Sequence, residues 1–336
     1  MENIEVINRS DRQDLADVPE LRLSDYLEGN ETLKDKFTSD LFRGLKNFGF
    51  IIIKDHPIPL SLLKKAYELS EKLFALPEET KKSYVSKSGA GQRGYTPFGR
   101  EHAKDSKFPD LKEFWHVGRN LPEAHPFHQL YPENIWPTEL TEFKTTFLEL
   151  YNQLDTIGLT LLESLTKPLE LRPNYFTEMT ADGNSILRLL HYPPIPEGVD
   201  PHCVRAAAHE DINLLTILVS ASASGLELLD RNGKWLAIET EPNNLIVDSG
   251  DMLSRITNEK IPSTTHRVVN PAGKNQSRYS MPYFIHPHPE AVLSCLPSCM
   301  GDGAKYPDIK AEEFLQQRLQ EIGLKSESVT LRQPQQ

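Results

Sequence analysis

The stretch Arg205-Ala206-Ala207-Ala208-His209-Glu210-Asp211-Ile212-Asn213-Leu214-Leu215-Thr216 sets two metal-ligand side chains directly ahead of an apolar run. On extended backbone the two-residue period puts His209 and Asp211 on one face and Glu210 on the other. The run that follows, Leu214–Val219, reads as a strand, and the texture around it is the same, with short strand-like runs separated by turn residues. Ser185–Tyr192 leads into Pro193-Pro194, and Leu226–Leu229 and Trp235–Ile238 flank a hairpin turn at Asp230-Arg231-Asn232-Gly233. Leu245–Val247, Leu253–Ile256, Thr265–Val269 and Arg278–His286 complete the set, which with a strand before His209 makes about eight to nine strands. Connections this short leave no room for helical crossovers, so the pattern predicts an antiparallel jelly roll and not a parallel sheet.

Upstream the chain is helical. Val18–Leu23 alternates as a short strand would, and Phe37, Leu41, Leu45 and Phe48 then form a helical stripe that Gly49 closes. Phe50–Ile53 reads as a buried strand, Asp55-His56-Pro57 as a turn, and Leu62, Ala66, Leu69 and Leu73 as a second helix stopped by Pro77. From Leu140 to Leu165 apolar residues step by three and four without a break, which predicts a spine helix of roughly 25 residues. Residues 83–137 lose periodicity and read either as a lid or substrate-facing loop, or as a surface connector anchored by its aromatics. The last helix carries Phe314, Leu315, Leu319 and Ile322; residues 1–16 and the Gln-rich end read as frayed. The expected organisation is α+β with a mainly β core: an N-terminal α/β unit with its long loop over 17–137, the spine helix and jelly roll over 138–300, and a C-terminal helix and tail over 301–336.

Composition limits the function. The 336-residue chain has 37 Lys and Arg against 48 Asp and Glu, a formal net charge of −11, which argues against a broad phosphate-binding surface and for a small-molecule partner. Its three cysteines, Cys203, Cys295 and Cys299, indicate no disulfide framework and fit a reducing, cytoplasmic compartment; no apolar run approaches a membrane span. Cys295 and Cys299 lack a second Cys/His pair that would make them a zinc site.

His266 lies 55 residues beyond Asp211 (266 − 211), so only tertiary structure can bring it to the His209/Asp211 pair. Two imidazoles and one carboxylate with open positions are the donor set of non-haem Fe(II) oxygenases, although zinc is chemically possible in the same ligands. Arg278 and Ser280 share a strand face and present a guanidinium and a hydroxyl able to hold a carboxylate. Asp248 and Asp251, in Asp-Ser-Gly-Asp, are a rival carboxylate pair that reads better as turn residues.

Several motifs occur in one order: Phe48-Gly49-Phe50, Asp55-His56, Leu76-Pro77-x-Glu79, Tyr192-Pro193-Pro194, His209-x-Asp211, Gly250-Asp251, His266-Arg267-Val268 and Arg278-Tyr279-Ser280. Over residues 17–290 the chain resembles the isopenicillin N synthase-like Fe(II)/2-oxoglutarate-dependent oxygenases. The resemblance implies a double-stranded β-helix that binds Fe(II) through His209, Asp211 and His266. It implies that Arg278 and Ser280 take the distal carboxylate of 2-oxoglutarate, with Tyr192 bonding near the chelating end. The implied reaction uses O2, with ascorbate as a possible reductant, converts 2-oxoglutarate to succinate and CO2, and oxidises a C–H bond, by default to an alcohol. Desaturation and ring closure remain open, as do a 2-oxoglutarate-independent iron oxidase of the same family and a non-catalytic ligand-binding module. Plant members resemble Asn-Tyr-Tyr-Pro-Pro where this chain has Leu190-His191-Tyr192-Pro193-Pro194, so Leu190 replaces a polar partner. Arg188 on the same face compensates for it, reads substrate, or forms an ion pair within the barrel. Arg93, Tyr95, Phe98 and Phe284 are the candidate substrate contacts.

Overall fold

The computed structural model describes residues 18–86, 92–101, 108–200, 202–219 and 221–321. The expected frayed start at 1–16, loop positions 87–91 and 102–107, and Ile322 with the Gln-rich end lie outside the described residues. Strand β1 (Glu20–Arg22) and helix α1 (Leu23–Leu27) lead into α2 (Glu31–Phe48). Asn30 starts α2 by accepting the Leu33 N–H at 3.0 Å, and Phe37, Leu41 and Leu45 form its buried face. Gly49 ends the helix at φ 67°, a left-handed turn natural to a residue without a Cβ. Strand β2 (Phe50–Lys54), helix α3 (Leu60–Phe74) and the short α4 (Glu78–Ser83) follow.

The region expected to be irregular contains two strands, β3 (Gly94–Thr96) and β4 (Glu113–Gly118). All six residues of β4 are buried, yet Glu113 and His116 interrupt its apolar pattern, which hides the strand from a search for alternation. The spine helix α5 runs Phe143–Ser164, with Leu140 just before it, and the short α6 (Tyr175–Thr180) follows. Next come β5 (Ile186–Tyr192), β6 (Ala206–His209), β7 (Leu215–Val219), β8 (Leu226–Leu229), β9 (Trp235–Ala237) and β10 (Leu245–Ser249). Helix α7 (Asp251–Ile256) stands where Leu253–Ile256 suggested a strand. Four residues are too few for period to separate the two, and Met252, Leu253 and Ile256 are buried on a single helical turn and a half. Strands β11 (His266–Val268) and β12 (Arg278–Ile285) and helix α8 (Ala311–Glu321) complete the chain.

The strands form an eight-stranded sheet, ordered β1-β2-β10-β7-β12-β5-β4-β3, and a four-stranded sheet, ordered β6-β11-β8-β9. Apart from the parallel β1–β2 pair, every named pairing is antiparallel. This is the jelly-roll, double-stranded β-helix architecture, and its large sheet crosses from the N-terminal unit into the core through the β2–β10 and β4–β5 pairings. Alternation gives that sheet two different faces. Ile51, Trp115, Leu189, Ile217, Val247 and Tyr283 belong to one core, with α2, α3 and α5. Phe50, Phe114, Leu190, Tyr192 and Ile246 point the other way, into a second core shared with Ala206, Leu228 and Val268 of the small sheet. No helix among the described residues is long and apolar enough to cross a membrane.

Gly49 fixes the entry of β2 into the sheet. A Cβ there would lie 2.0 Å from Thr264 Oγ1, and its carbonyl accepts the Ser249 N–H at 3.0 Å. Gly49→Ala should therefore lower unfolding free energy by at least about 1–2 kcal/mol, from the left-handed backbone alone; a urea midpoint measurement checks this.

Candidate active site

Three ligand-type side chains meet where the small sheet opens. His209 ends β6 and His266 begins β11, and the two are direct cross-strand partners with ring centroids 4.4 Å apart. Asp211 lies two residues past β6, with its Oδ1 3.8 Å from His209 Nε2 and 4.0 Å from His266 Nε2. One ligand atom from each of the three falls within 4.8 Å of the others, and no second such group occurs among the described residues, so Cys295 and Cys299 have no third ligand.

The surroundings prepare these groups for a cation. His209 Nδ1 is 2.7 Å from Ala207 O, and His266 Nδ1 is 3.1 Å from Thr264 O. A carbonyl only accepts, so each Nδ1 carries the proton and each Nε2 offers its lone pair. Burial, reinforced by His266, lowers the His209 pKa to about 4, which keeps that ring neutral at pH 7. Burial pushes the Asp211 carboxyl up, but the two imidazoles and the Thr216 hydroxyl, which donates to Oδ2, hold it below the usual carboxylate range. Two imidazoles whose Nδ1 atoms are held by carbonyls, and one carboxylate, make a donor set that fits Fe(II).

Asp248 and Asp251 are not turn residues. Asp248 is in β10, buried, on the inner face; burial and the adjacent Asp211 push its carboxyl well above its ordinary value. Asp251 opens α7, and its N–H donates to Asp211 O at 2.7 Å. Between them a Cβ on Gly250 would meet Asn213 O at 2.3 Å and Asp211 O at 2.8 Å, so only glycine lets β10 approach the ligand turn this closely. The sequence signal was available, since Asp248 and Thr216 are polar residues at inward positions of otherwise apolar strands and are cross-strand partners.

Arg278, Ser280, Tyr192 and the three ligand-type residues line one cavity of about 970 Å³. Arg278 is 1 % exposed; its Nη1 donates to Ser280 Oγ at 3.2 Å and its Nε to Ala223 O at 3.1 Å. Tyr192 is the cross-strand partner of Arg278, whose guanidinium carbon is 5.1 Å from the Tyr192 ring centroid, so the tyrosine stands at the arginine end. Leu190, the partner of Ser280, packs in the inner apolar core.

The rest of the wall is polar and charge-balanced. Arg188 Nε is 2.6 Å from His116 Nε2, and its Nη1 is 3.2 Å from Glu101 Oε2; Lys112 bridges Glu101 and Asp110 at 2.9 and 2.8 Å. Of the readings open for Arg188, the ion pair within the barrel is present, and the guanidinium also covers the Phe114 and Phe284 rings at 4.3 and 5.3 Å. Among the expected substrate contacts, Phe284 and Tyr95 line the cavity, with the Tyr95 hydroxyl bound to Glu113. Arg93 and Phe98 are not brought to its wall. The Arg93 guanidinium packs against Gly118 and donates to Gln92 O and Asn184 Oδ1, while Phe98 sits at the surface, 38 % exposed. His116, Glu101 and His286, which sequence reading did not single out, line the wall.

A jelly roll with this ligand set and a buried arginine at the far end of the same cavity defines a non-haem iron, oxo-acid-using oxygenase. Comparison with known proteins agrees. Residues 18–139 match the family described as non-haem dioxygenase in morphine synthesis N-terminal, and residues 183–287 match the 2OG-Fe(II) oxygenase superfamily. The chain is 30 % identical to the 2-oxoglutarate-Fe(II) type oxidoreductase hxnY of Emericella nidulans, over 88 % of each protein. A 2OG-Fe(II) oxygenase family protein from Caulobacter crescentus superposes with a TM-score of 0.82 at 42 % identity, over 91 % of this chain and 99 % of that one. A full-length Neurospora crassa protein in complex with alpha-KG also gives 0.82, at 31 % identity, over 94 % of this chain and 98 % of that one. The chain belongs to the Fe(II)/2-oxoglutarate-dependent oxygenases of the isopenicillin N synthase-like family. It is an enzyme that uses Fe(II), 2-oxoglutarate and O2.

His286 follows β12 directly, in the cavity wall, and supplies a test of its burial. Its pKa is lowered from the ordinary 6.5 to about 4 by burial. Between these values the unfolded chain takes up a proton that the folded chain refuses, so the stabilisation is complete above pH 6.5 and is lost as pH falls toward 4. His286 should contribute on the order of 3 kcal/mol to that loss. His286→Asn should flatten the apo-protein's stability profile between pH 6.5 and 4, read by denaturation at several pH values.

Proposed function

We propose that His209, Asp211 and His266 hold the iron, that Arg278 with Ser280 takes the distal carboxylate of 2-oxoglutarate, and that Tyr192 packs beside it. The observation that carries this is the shared cavity: three ligand groups at one end and a buried guanidinium without a carboxylate partner at the other, joined by the inward row of β12. When bound, the iron supplies the activation of O2 that couples conversion of 2-oxoglutarate to succinate and CO2 with oxidation of a substrate C–H bond. The protein's own residues do the remaining work. The Nδ1 bonds to Ala207 O and Thr264 O orient the imidazoles, Thr216 and Asp248 hold one side of the Asp211 carboxylate so that the other faces the metal, and Phe50, edge-on to His266 at 5.7 Å, keeps water from that ring.

The substrate in this reading is a small, polar, planar molecule. Arg188 with Glu101 and Lys112 with Asp110 cancel in charge, so the wall does not ask for a charged ligand, while Phe284 offers a ring to stack on and His116 a polar edge. Thymine, present with alpha-KG in one structure of the Neurospora crassa protein, is the first compound to try. The same reading places the enzyme in the cytoplasm, which its free Cys203, Cys295 and Cys299 support, and gives it no nucleic-acid partner, in line with the net charge of −11.

Purified protein with Fe(II), ascorbate and O2 should convert 2-oxoglutarate to succinate, and Asp211→Ala should abolish this. Undiminished turnover in that variant would overturn the ligand assignment. Arg278→Ala should raise KM for 2-oxoglutarate at least about tenfold, in line with loss of a charge-assisted bond, and no dependence on 2-oxoglutarate at all would favour an oxidase that does without it.

A further inference from the structure

A second buried arginine, not itself part of the cavity lining, is tied to the chain just ahead of Arg278 and has no role in the reading above. Arg205, the residue before β6, is 1 % exposed, as buried as Arg278. Its Nη2 donates to Gln276 O at 2.5 Å, two residues before Arg278, and its backbone N–H donates to Asn270 Oδ1 at 3.1 Å. Its Nε is buried with no partner. The hydrogen-bond acceptors around the two guanidinium groups are neutral: Gln276 O for Arg205, and Ala223 O and Ser280 Oγ for Arg278.

This sets the pair apart from other well-buried basic residues of the chain. Lys81 is paired with Glu113, Lys112 with Glu101 and Asp110, Arg119 with Asp155, and Arg188 with Glu101. Arg93 also lacks a carboxylate, but it donates to Gln92 O and Asn184 Oδ1 and has the neutral Tyr131 and Tyr151 hydroxyls near it, not a second cation. Arg205 is bound to the Gln276 carbonyl two residues before Arg278, so both buried guanidinium groups are held at the start of β12, and burial and then the Arg278 charge push the Arg205 guanidinium down. Two like charges buried together without a counter-ion each destabilise the other, and an anion that enters beside them relieves both.

We propose that Arg205 is a second positioning cation for the cosubstrate, which acts with Arg278 to make this end of the cavity select oxo acids that carry a carboxylate remote from the chelating group. The proposal rests on the reading that 2-oxoglutarate occupies this cavity. Arg205 acts on the ligand through its field and through the Gln276 carbonyl that it ties ahead of β12, while Arg278 makes the contact.

The test is equilibrium binding by calorimetry to the full-length protein loaded with Mn(II) under anaerobic conditions. The probes are 2-oxoglutarate and pyruvate, an oxo acid with no distal carboxylate. Arg205→Met should raise Kd for 2-oxoglutarate about tenfold, Arg205→Lys about threefold or less because the charge remains, and neither should change Kd for pyruvate. A 2-oxoglutarate Kd in Arg205→Met within about twofold of the wild type overturns the proposal. So does an equal weakening of pyruvate, or a lysine variant as weak as the methionine one. If Arg205→Met does not fold, Arg278→Met serves: Arg205 alone should still sustain a preference for 2-oxoglutarate over pyruvate of about threefold, and loss of all preference overturns it. A wild-type protein with no such preference refutes the functional reading and this inference with it, whereas a preference left undiminished by Arg205→Met refutes only the part given to Arg205.

Discussion

Everything in this structure depends on the two-residue period of the large sheet. The outward residues of its central strands are apolar and are sealed by α2, α3 and α5; the inward ones include Arg188, Thr216, Asp248, Arg278 and Ser280. A slip of one residue in any of these strands would bring a charged or polar group under the helices and an aliphatic one into the cavity. The grip of α5 on Ile217, Tyr283 and Ile285 is therefore what aims Arg278 and Ser280, although the helix touches neither. Packing on one side of the sheet sets chemistry on the other.

The turn after β6 carries a second constraint. Asp211 is a strained position in electrostatic terms, a buried carboxylate beside another carboxyl, and the structure resolves this by dividing the labour. The Asp248 carboxyl is pushed up, the Thr216 hydroxyl donates a hydrogen bond to Asp211, and the Nε2 atoms of the two imidazoles face Asp211 Oδ1. The close approach of Gly250 and the Asp251 N–H hold the backbone of the turn, which keeps Asp211 beside His209 and His266.

Much of this was legible in the sequence, for identifiable reasons. Helices α2, α3 and α5 announce themselves because each has one apolar stripe, and α2 and α3 also have a defined stop, at Gly49 and before Pro77. The pairing of His209 with Asp211 follows from strand period, and Arg278 with Ser280 likewise. What escaped was whatever mixes polar and apolar residues for tertiary reasons. Strand β4 carries Glu113 and His116, buried because Lys81, His191 and Arg188 come to them from elsewhere in the chain. Helix α7 is too short to show a period, and Asp248 looks like part of a turn until Thr216 is seen opposite it. Arg93 and Phe98 were chosen as polar and aromatic residues in a loop-like segment, but the sheet turns Arg93 under Gly118 and leaves Phe98 at the surface.

The order of the large sheet also has a kinetic side. Strand β2 is flanked by β1, its near neighbour in sequence, and by β10, whose Ile246 faces Ile52 from 194 residues away (246 − 52). Contacts of such separation close late and slow the approach to the native state. During synthesis at roughly 5–20 residues per second, β2 stands for on the order of ten seconds or longer with its long edge bare, a template for stray pairing with other chains. The nascent protein is thus most exposed to aggregation before His266, which follows β10 in the chain, has been made, so the His209, Asp211 and His266 cluster cannot assemble in time to protect it.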